Sequence, residues 1–144
     1  GIQLFNPDDT RAEQFTAEQN IRSVIQGHFL AKRLHSEKIG LMPKTIYATG
    51  GASVNKSILQ ILADVFGKEV TTSKQPNSAS LGAAYRALHG WQCKKAGSFI
   101  PFTKAIAKVE ASTSQSKPDP QHFAIYTKML PRYSLLEQQV VRNQ

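Results

Sequence analysis

The stretch Thr45-Ile46-Tyr47-Ala48-Thr49-Gly50-Gly51-Ala52-Ser53-Val54-Asn55, with the apolar-rich run Ser57 to Phe66 behind it, decides how this chain is read. Ile46, Tyr47 and Ala48 form a short uncharged run between Pro43 and a pair of glycines, the pattern of a buried strand. Gly50 and Gly51 permit backbone angles that other residues avoid and let another group come close to the main chain. Ser53 is the expected N-cap of a helix over about 53–66. The first N–H groups of such a helix point back toward the glycine turn, which is the layout of an anion or phosphate site. The same junction is also what a plain tight turn looks like, and from geometry alone both readings stand.

Outward from this junction, Ile58, Leu59, Ile61, Leu62, Val65 and Phe66 make a stripe wide enough to pack on a sheet and be covered on a second side. Asn55 lies in the first turn of that helix on the side of the glycines, where it can be a plain surface residue or can offer its amide to a base or a ribose; Gln60 and Asp64 can equally be solvated polar positions. Upstream, residues 16–38 read as a long helix with a Thr16/Gln19 capping box, Gly27 set for close approach of another backbone, and Gly40 at the left-handed cap. Ile21, Val24, Ile25, His28, Phe29 and Leu34 fall mostly on one face; His28 and His35, two turns apart, can share a face but lack a third metal ligand at useful spacing and read as one packed and one surface histidine. Before it, Ile2, Leu4 and Phe5 alternate like a strand, and Asn6-Pro7-Asp8-Asp9 reads as a turn.

Downstream, Gly67 closes the second helix, Glu69 to Ser73 is β-branched and reads as a strand, and Asn77 or Ser78 caps a third helix closed at Gly90. Ala79-Ser80-Leu81-Gly82-Ala83-Ala84 opens that helix with small residues able to lie against a neighbour or ligand. The order helix, strand, helix, strand, helix over 16–90 predicts an α/β layer with parallel strands, whose ligands bind beyond the carboxyl ends of the strands, where Gly50 and Gly51 stand. Two or three strands are too few for a free-standing sheet of this kind, so upstream strands are expected to be missing. Residues 91–101 read as irregular, Phe102 to Val109 as a short helix, and 111–121 as a polar linker or loop. Asp119-Pro120 then starts a C-terminal helical segment, 122–144, which Pro131 is expected to break or kink.

The 144 residues suffice for one domain with a core, and 40% of them are hydrophobic. A single cysteine, Cys93, excludes an internal disulfide and a zinc cluster and suits a reducing, cytoplasmic setting. No apolar run approaches a membrane span, and Asp8, Asp9, Arg11 and Glu13 interrupt any leader-like stretch. The net charge of +8 admits nucleic-acid binding by a non-catalytic basic module, but Lys32-Arg33 and Lys94-Lys95 are the only adjacent basic pairs and no aromatic residues interleave with them. Neither a nucleic-acid nor a membrane partner is expected; a phosphorylated small molecule fits the surface at least as well.

The run Ile46 to Asn55, continued through Gln60, Ala63-Asp64, Gly67 and Val70 and then Gly82-Ala83-Ala84-Tyr85-Arg86-Ala87, resembles the C-terminal domain of the FGGY carbohydrate kinases, as does Ile25-Gln26-Gly27 earlier. The resemblance implies the C-terminal part of an actin-like ATPase domain of ribonuclease-H-like type, occupying 1–110, with a helical extension packed on it. It implies ATP, with magnesium, as phosphoryl donor to the 5-hydroxyl of D-xylulose, the substrate of the branch that this chain resembles most, with gluconate, ribulose or glycerol as alternatives. It puts the nucleotide along Gly50 and Gly51 and the adenosine near Asn55. Many family members carry Glu where Asn77 stands, and the role of Asn77 stays open. The family's catalytic aspartate and most sugar contacts belong to its N-terminal domain, and none of Asp8, Asp9, Asp64 or Asp119 matches that motif. No catalytic residue and no metal ligand is therefore expected here; the partner is the remainder of a kinase chain, and these residues alone are expected to be inactive.

Overall fold

The computed structural model describes residues 3–6, 8–73, 77–107 and 113–142. Helix α1 (Ala17–Lys38) begins as its sequence predicts: the Thr16 side chain accepts from the Gln19 N–H while the Gln19 side chain accepts from the Thr16 N–H. It ends at Ile39, and Gly40 takes the left-handed conformation at φ 74°. Strand β1 (Ile46–Ala48) leads through a 3-10 turn (Gly51–Val54) into α2 (Lys56–Phe66), which Gly67 closes at φ 61°. Strand β2 (Val70–Ser73), helices α3 (Ser78–Ala96) and α4 (Phe102–Ala105), strand β3 (Thr113–Ser116) and helix α5 (Pro120–Arg142) complete the order. The fold is α/β, as the alternation predicts. Among the described residues no helix is long and apolar enough to cross a membrane.

The sheet runs β1-β2-β3. β1 and β2 are parallel, with Ile46 opposite Val70 and Ala48 opposite Thr72. β3 lies antiparallel on the other side of β2, Thr71 facing Gln115. This strand corrects the reading of 111–121 as a linker or loop: Thr113 to Ser116, polar in composition, pairs as a strand with β2; residues 111 and 112 lie outside the described residues. The outer edge of β1 carries no strand among the described residues.

Helix α2 is the centre of the packing, and its wide stripe divides in two. Ile61 and Val65 meet Phe29, Leu30 and Leu34 of α1 and Tyr126 and Leu130 of α5. Leu59 and Ala63 turn to the sheet, against Val70, Ile46 and Ala48. Gly67 is fixed twice over: its positive φ disfavours a side chain, and a Cβ there would stand 2.5 Å from the Phe123 ring of α5.

Several expectations are corrected. Ser53 does not cap α2, which starts at Lys56 behind Asn55. The α1 core face is Phe29, Leu30, Arg33 and Leu34, while Ile21 and Val24 are exposed. His28 and His35 are both exposed, so neither is the packed one of the pair, and a Cβ at Gly27 would stand 3.9 Å from the Tyr133 ring instead of against a neighbouring backbone. Helix α3 passes through Gly90 and is closed by Gly97 at φ 65°, so 91–96 is helical. The helix predicted for 102–109 ends at Ala105, and 108–109 lie outside the described residues. Helix α5 continues through Pro131. The N-terminal alternation yields one antiparallel bridge, Phe5 with Arg11, closed by Asn6 N–H to Thr10 O at 2.8 Å; Ile2 and Pro7 lie outside the described residues.

Candidate functional site

The turn after β1 takes its shape from three residues. Gly50 has φ 89° and ψ −176°, a region that only glycine occupies without strain. Its carbonyl oxygen accepts the Ser53 N–H at 3.0 Å and the Ser53 hydroxyl at 2.7 Å. Asn55, with extended backbone at φ −87° and ψ 104°, aims its side-chain oxygen at the start of α2, where it accepts from the N–H of Ser57 at 3.0 Å and of Ile58 at 3.2 Å. Two of the helix donors that an anion would have used are thereby taken by the chain itself. Among the described residues no acceptor for the Asn55 amide nitrogen occurs.

The two glycines differ in kind. Gly50 is demanded by its backbone angle. Gly51 lies outside the left-handed region, and among the described residues no atom beyond its chain neighbours stands within 4 Å of where its Cβ would be. Nothing in the described residues requires a glycine at 51. Gly50, Gly51 and Asn55 thus stand together around the carboxyl end of β1. The small-residue opening of α3 is exposed, and a Cβ at Gly82 would likewise meet nothing within 4 Å. Beside the turn, an open groove of about 760 Å³ runs between α1, β1 and α2; Thr49, Ala52 and Ser53 border it, with Phe29, Tyr47, Ile58 and Phe66 along its length.

Two charged groups that the sequence reading passed over hold this platform in place. Asp64, only 2% exposed, accepts from Gln60 Nε2 and from the Asp119 N–H, both at 2.8 Å, and faces His122 Nδ1 at 3.1 Å. It fastens the start of α5 to α2 and is not a solvated position. Asp119 in turn accepts the N–H groups of Gln121 and His122, and those bonds, that from His122 foremost, hold its carboxyl below the ordinary value. Arg33 is buried between helices: its guanidinium meets Glu37 at 2.7 Å, the Val65 carbonyl at 2.8 Å and the Thr127 hydroxyl at 3.1 Å. Its position between Leu30 and Leu34 on the core face was the available signal. Burial and the left-handed Gly67 also set Tyr133 and Phe123 apart as packing residues, and desolvation, with Glu137 second, raises the Tyr133 phenol. Among the described residues no group of three His, Cys, Asp or Glu is arranged for a metal ion.

The sequence profile of the FGGY family of carbohydrate kinases, C-terminal domain, matches residues 10–91, more than half of the chain. This chain belongs to that family. It is 41% identical to xylulose kinase of Rattus norvegicus over 144 residues, covering 98% of this chain and 26% of that protein. It is 45% identical to xylulose kinase 2 of Arabidopsis thaliana over 120 residues, 81% of this chain and 22% of that protein. The chain therefore spans about a quarter of the length of these relatives. In fold it matches the crystal structure of xylulose kinase from Rhodospirillum rubrum with TM-score 0.64 at 22% identity, over 92% of this chain and 27% of that one. It matches gluconate kinase from Lactobacillus acidophilus with TM-score 0.65 at 22% identity, over 91% and 27%.

Proposed function

We propose that this chain is the nucleotide-side portion of an ATP-dependent sugar kinase that transfers the γ-phosphoryl group to the 5-hydroxyl of D-xylulose. The observation that carries the nucleotide reading is Gly51, a glycine for which the described residues offer no internal reason and whose bare face is open toward them. A ligand lying along the main chain supplies the missing reason. The names of the relatives at 41% and 45% identity support xylulose as the sugar. In this reading the nucleotide passes along Gly50 and Gly51, and Asn55 donates from its amide nitrogen to the adenosine end while its oxygen stays on the helix.

Phosphoryl transfer depends chiefly on positioning and on stabilising charge. The share of these residues is binding and orientation. Residues 45–58 hold no carboxylate, so magnesium accompanying ATP takes its ligands elsewhere, and the sugar hydroxyl gives its proton to a base that this chain does not supply. On its own the chain is accordingly expected to turn over no sugar, in a reducing cytoplasmic setting or any other.

The test is a Gly51→Asp substitution in the full kinase chain, read beside Asn55→Asp. The first puts a charged side chain where the nucleotide runs and should raise the KM for ATP more than tenfold with the KM for xylulose unchanged. The second keeps the helix cap, since aspartate caps as well as asparagine, but removes both donors. It should weaken ATP severalfold at unaltered thermal stability. Unchanged ATP affinity in both variants refutes the site. Turnover of gluconate, ribulose or glycerol in preference to xylulose refutes the sugar alone.

A further inference from the structure

Ser53 is buried, whereas its neighbours Ala52 and Val54 are exposed. Both its N–H and its hydroxyl donate to one oxygen, the Gly50 carbonyl, at 3.0 Å and 2.7 Å. That carbonyl belongs to the peptide unit that joins Gly50 to Gly51. A peptide flanked by two glycines rotates more freely than any other, because neither Cα carries a side chain to restrict it. Among the described residues, a Cβ at either glycine would meet nothing within 4 Å. The Ser53 hydroxyl is the side-chain restraint on that unit.

We infer that Ser53 is a positioning residue for the nucleotide: it holds the Gly50–Gly51 peptide in the one orientation that keeps the bare face of Gly51 turned outward to the ligand. The inference rests on the reading of Gly50–Gly51 as the nucleotide contact. Loss of the hydroxyl lets the unit sample further orientations, and apparent affinity then falls with the fraction of molecules in the competent one. Ser53 sits behind the turn and touches no reacting atom, so the chemical step is left as it was.

The experiment compares Ser53→Ala with Gly51→Asp in the full kinase chain, reading kcat, both KM values, ATP binding by calorimetry and the thermal midpoint. Ser53→Ala should raise the KM and the dissociation constant for ATP by about three- to tenfold, the range associated with one hydrogen bond, with kcat and the sugar KM unchanged. ATP affinity untouched in Ser53→Ala while Gly51→Asp weakens it overturns the inference and leaves the site standing. A joint fall of kcat, both affinities and the thermal midpoint also overturns it, because Ser53 would then serve folding alone. No change in ATP affinity in either variant removes the site reading, and the inference with it.

Discussion

Helix α2 has 11 residues, of which Leu59, Ile61, Ala63, Asp64 and Val65 are buried; helix α3 has 19 residues and buries none. Both are preceded by asparagine. Asn55 caps α2 with its side chain, but Asn77, at ψ 47° instead of the extended value, makes no such bond to α3. Helix α2 lies between α1, α5 and the sheet, so every side of its stripe finds a partner. Helix α3 is held by α4 and the loop before it, through the His89 ring edge-on to Phe102 at 5.4 Å, Arg86 over the same ring at 4.9 Å, and His89 Nε2 at 2.6 Å from the Ile100 carbonyl. Trp91 and Phe99 remain exposed beside them. The difference teaches that length and helix-forming residues do not measure how firmly a helix is fixed: packing of an apolar face does.

The strongest way to break this contrast is a matched pair of truncations. Ile61→Ala should cost about 2–5 kcal/mol of unfolding free energy, and Leu88→Ala on α3 less than about 0.5 kcal/mol, both by chemical denaturation. Equal costs would mean that α3 is as firmly seated as α2. Next in size, Asp64→Ala strips the Asp119 N–H, Gln60 and His122 of their common acceptor and should cost about 1.5–3 kcal/mol. A third comparison sets the two asparagines against each other: Asn55→Ala should lose about 1 kcal/mol and Asn77→Ala only a few tenths.

The smallest effect concerns pH. Hydrogen bonds from the N–H groups of His122 and Gln121 lower the Asp119 carboxyl in the folded chain. Its contribution is complete above the unfolded value, about 3.9, and is lost as pH falls through the lower folded value. Asp119→Asn keeps an acceptor without a titration, so stability in the variant should fall less steeply below about pH 4. Parallel acid curves for the two proteins would show that the cap does not titrate with folding.

Much of the frame was legible because its signals are local. The capping box at Thr16 and Gln19 needs only a spacing of three, and Gly40 and Gly67 announce helix ends by chemistry that few other residues share. What was illegible depends on partners far along the chain or on fine backbone geometry. Asp64 looks solvated until Asp119 and His122, 55 and 58 residues away, are brought to it. Thr113 to Ser116 is a strand because β2 offers it an edge. That Asn55 and not Ser53 caps α2 follows from the 3-10 turn, which delays the helix by several residues. Gly90 stays helical because a mid-helix glycine costs only about 1 kcal/mol.

The bond from His122 to Asp64 also has a meaning in time. A ribosome adds about 5–20 residues per second, so the 58 residues from Asp64 to His122 take roughly 3 to 12 s to appear. Over that interval α1 and α2 are already made and β2 and then β3 follow, while Ile61 and Val65 still lack Tyr126 and Leu130, Arg33 lacks Thr127, and Asp64 lacks Asp119 and His122. The nascent chain is therefore open to sticking and proteolysis while the Gly50–Asn55 turn is already made and α5 is not, and the arrival of residues 119–130 closes that face.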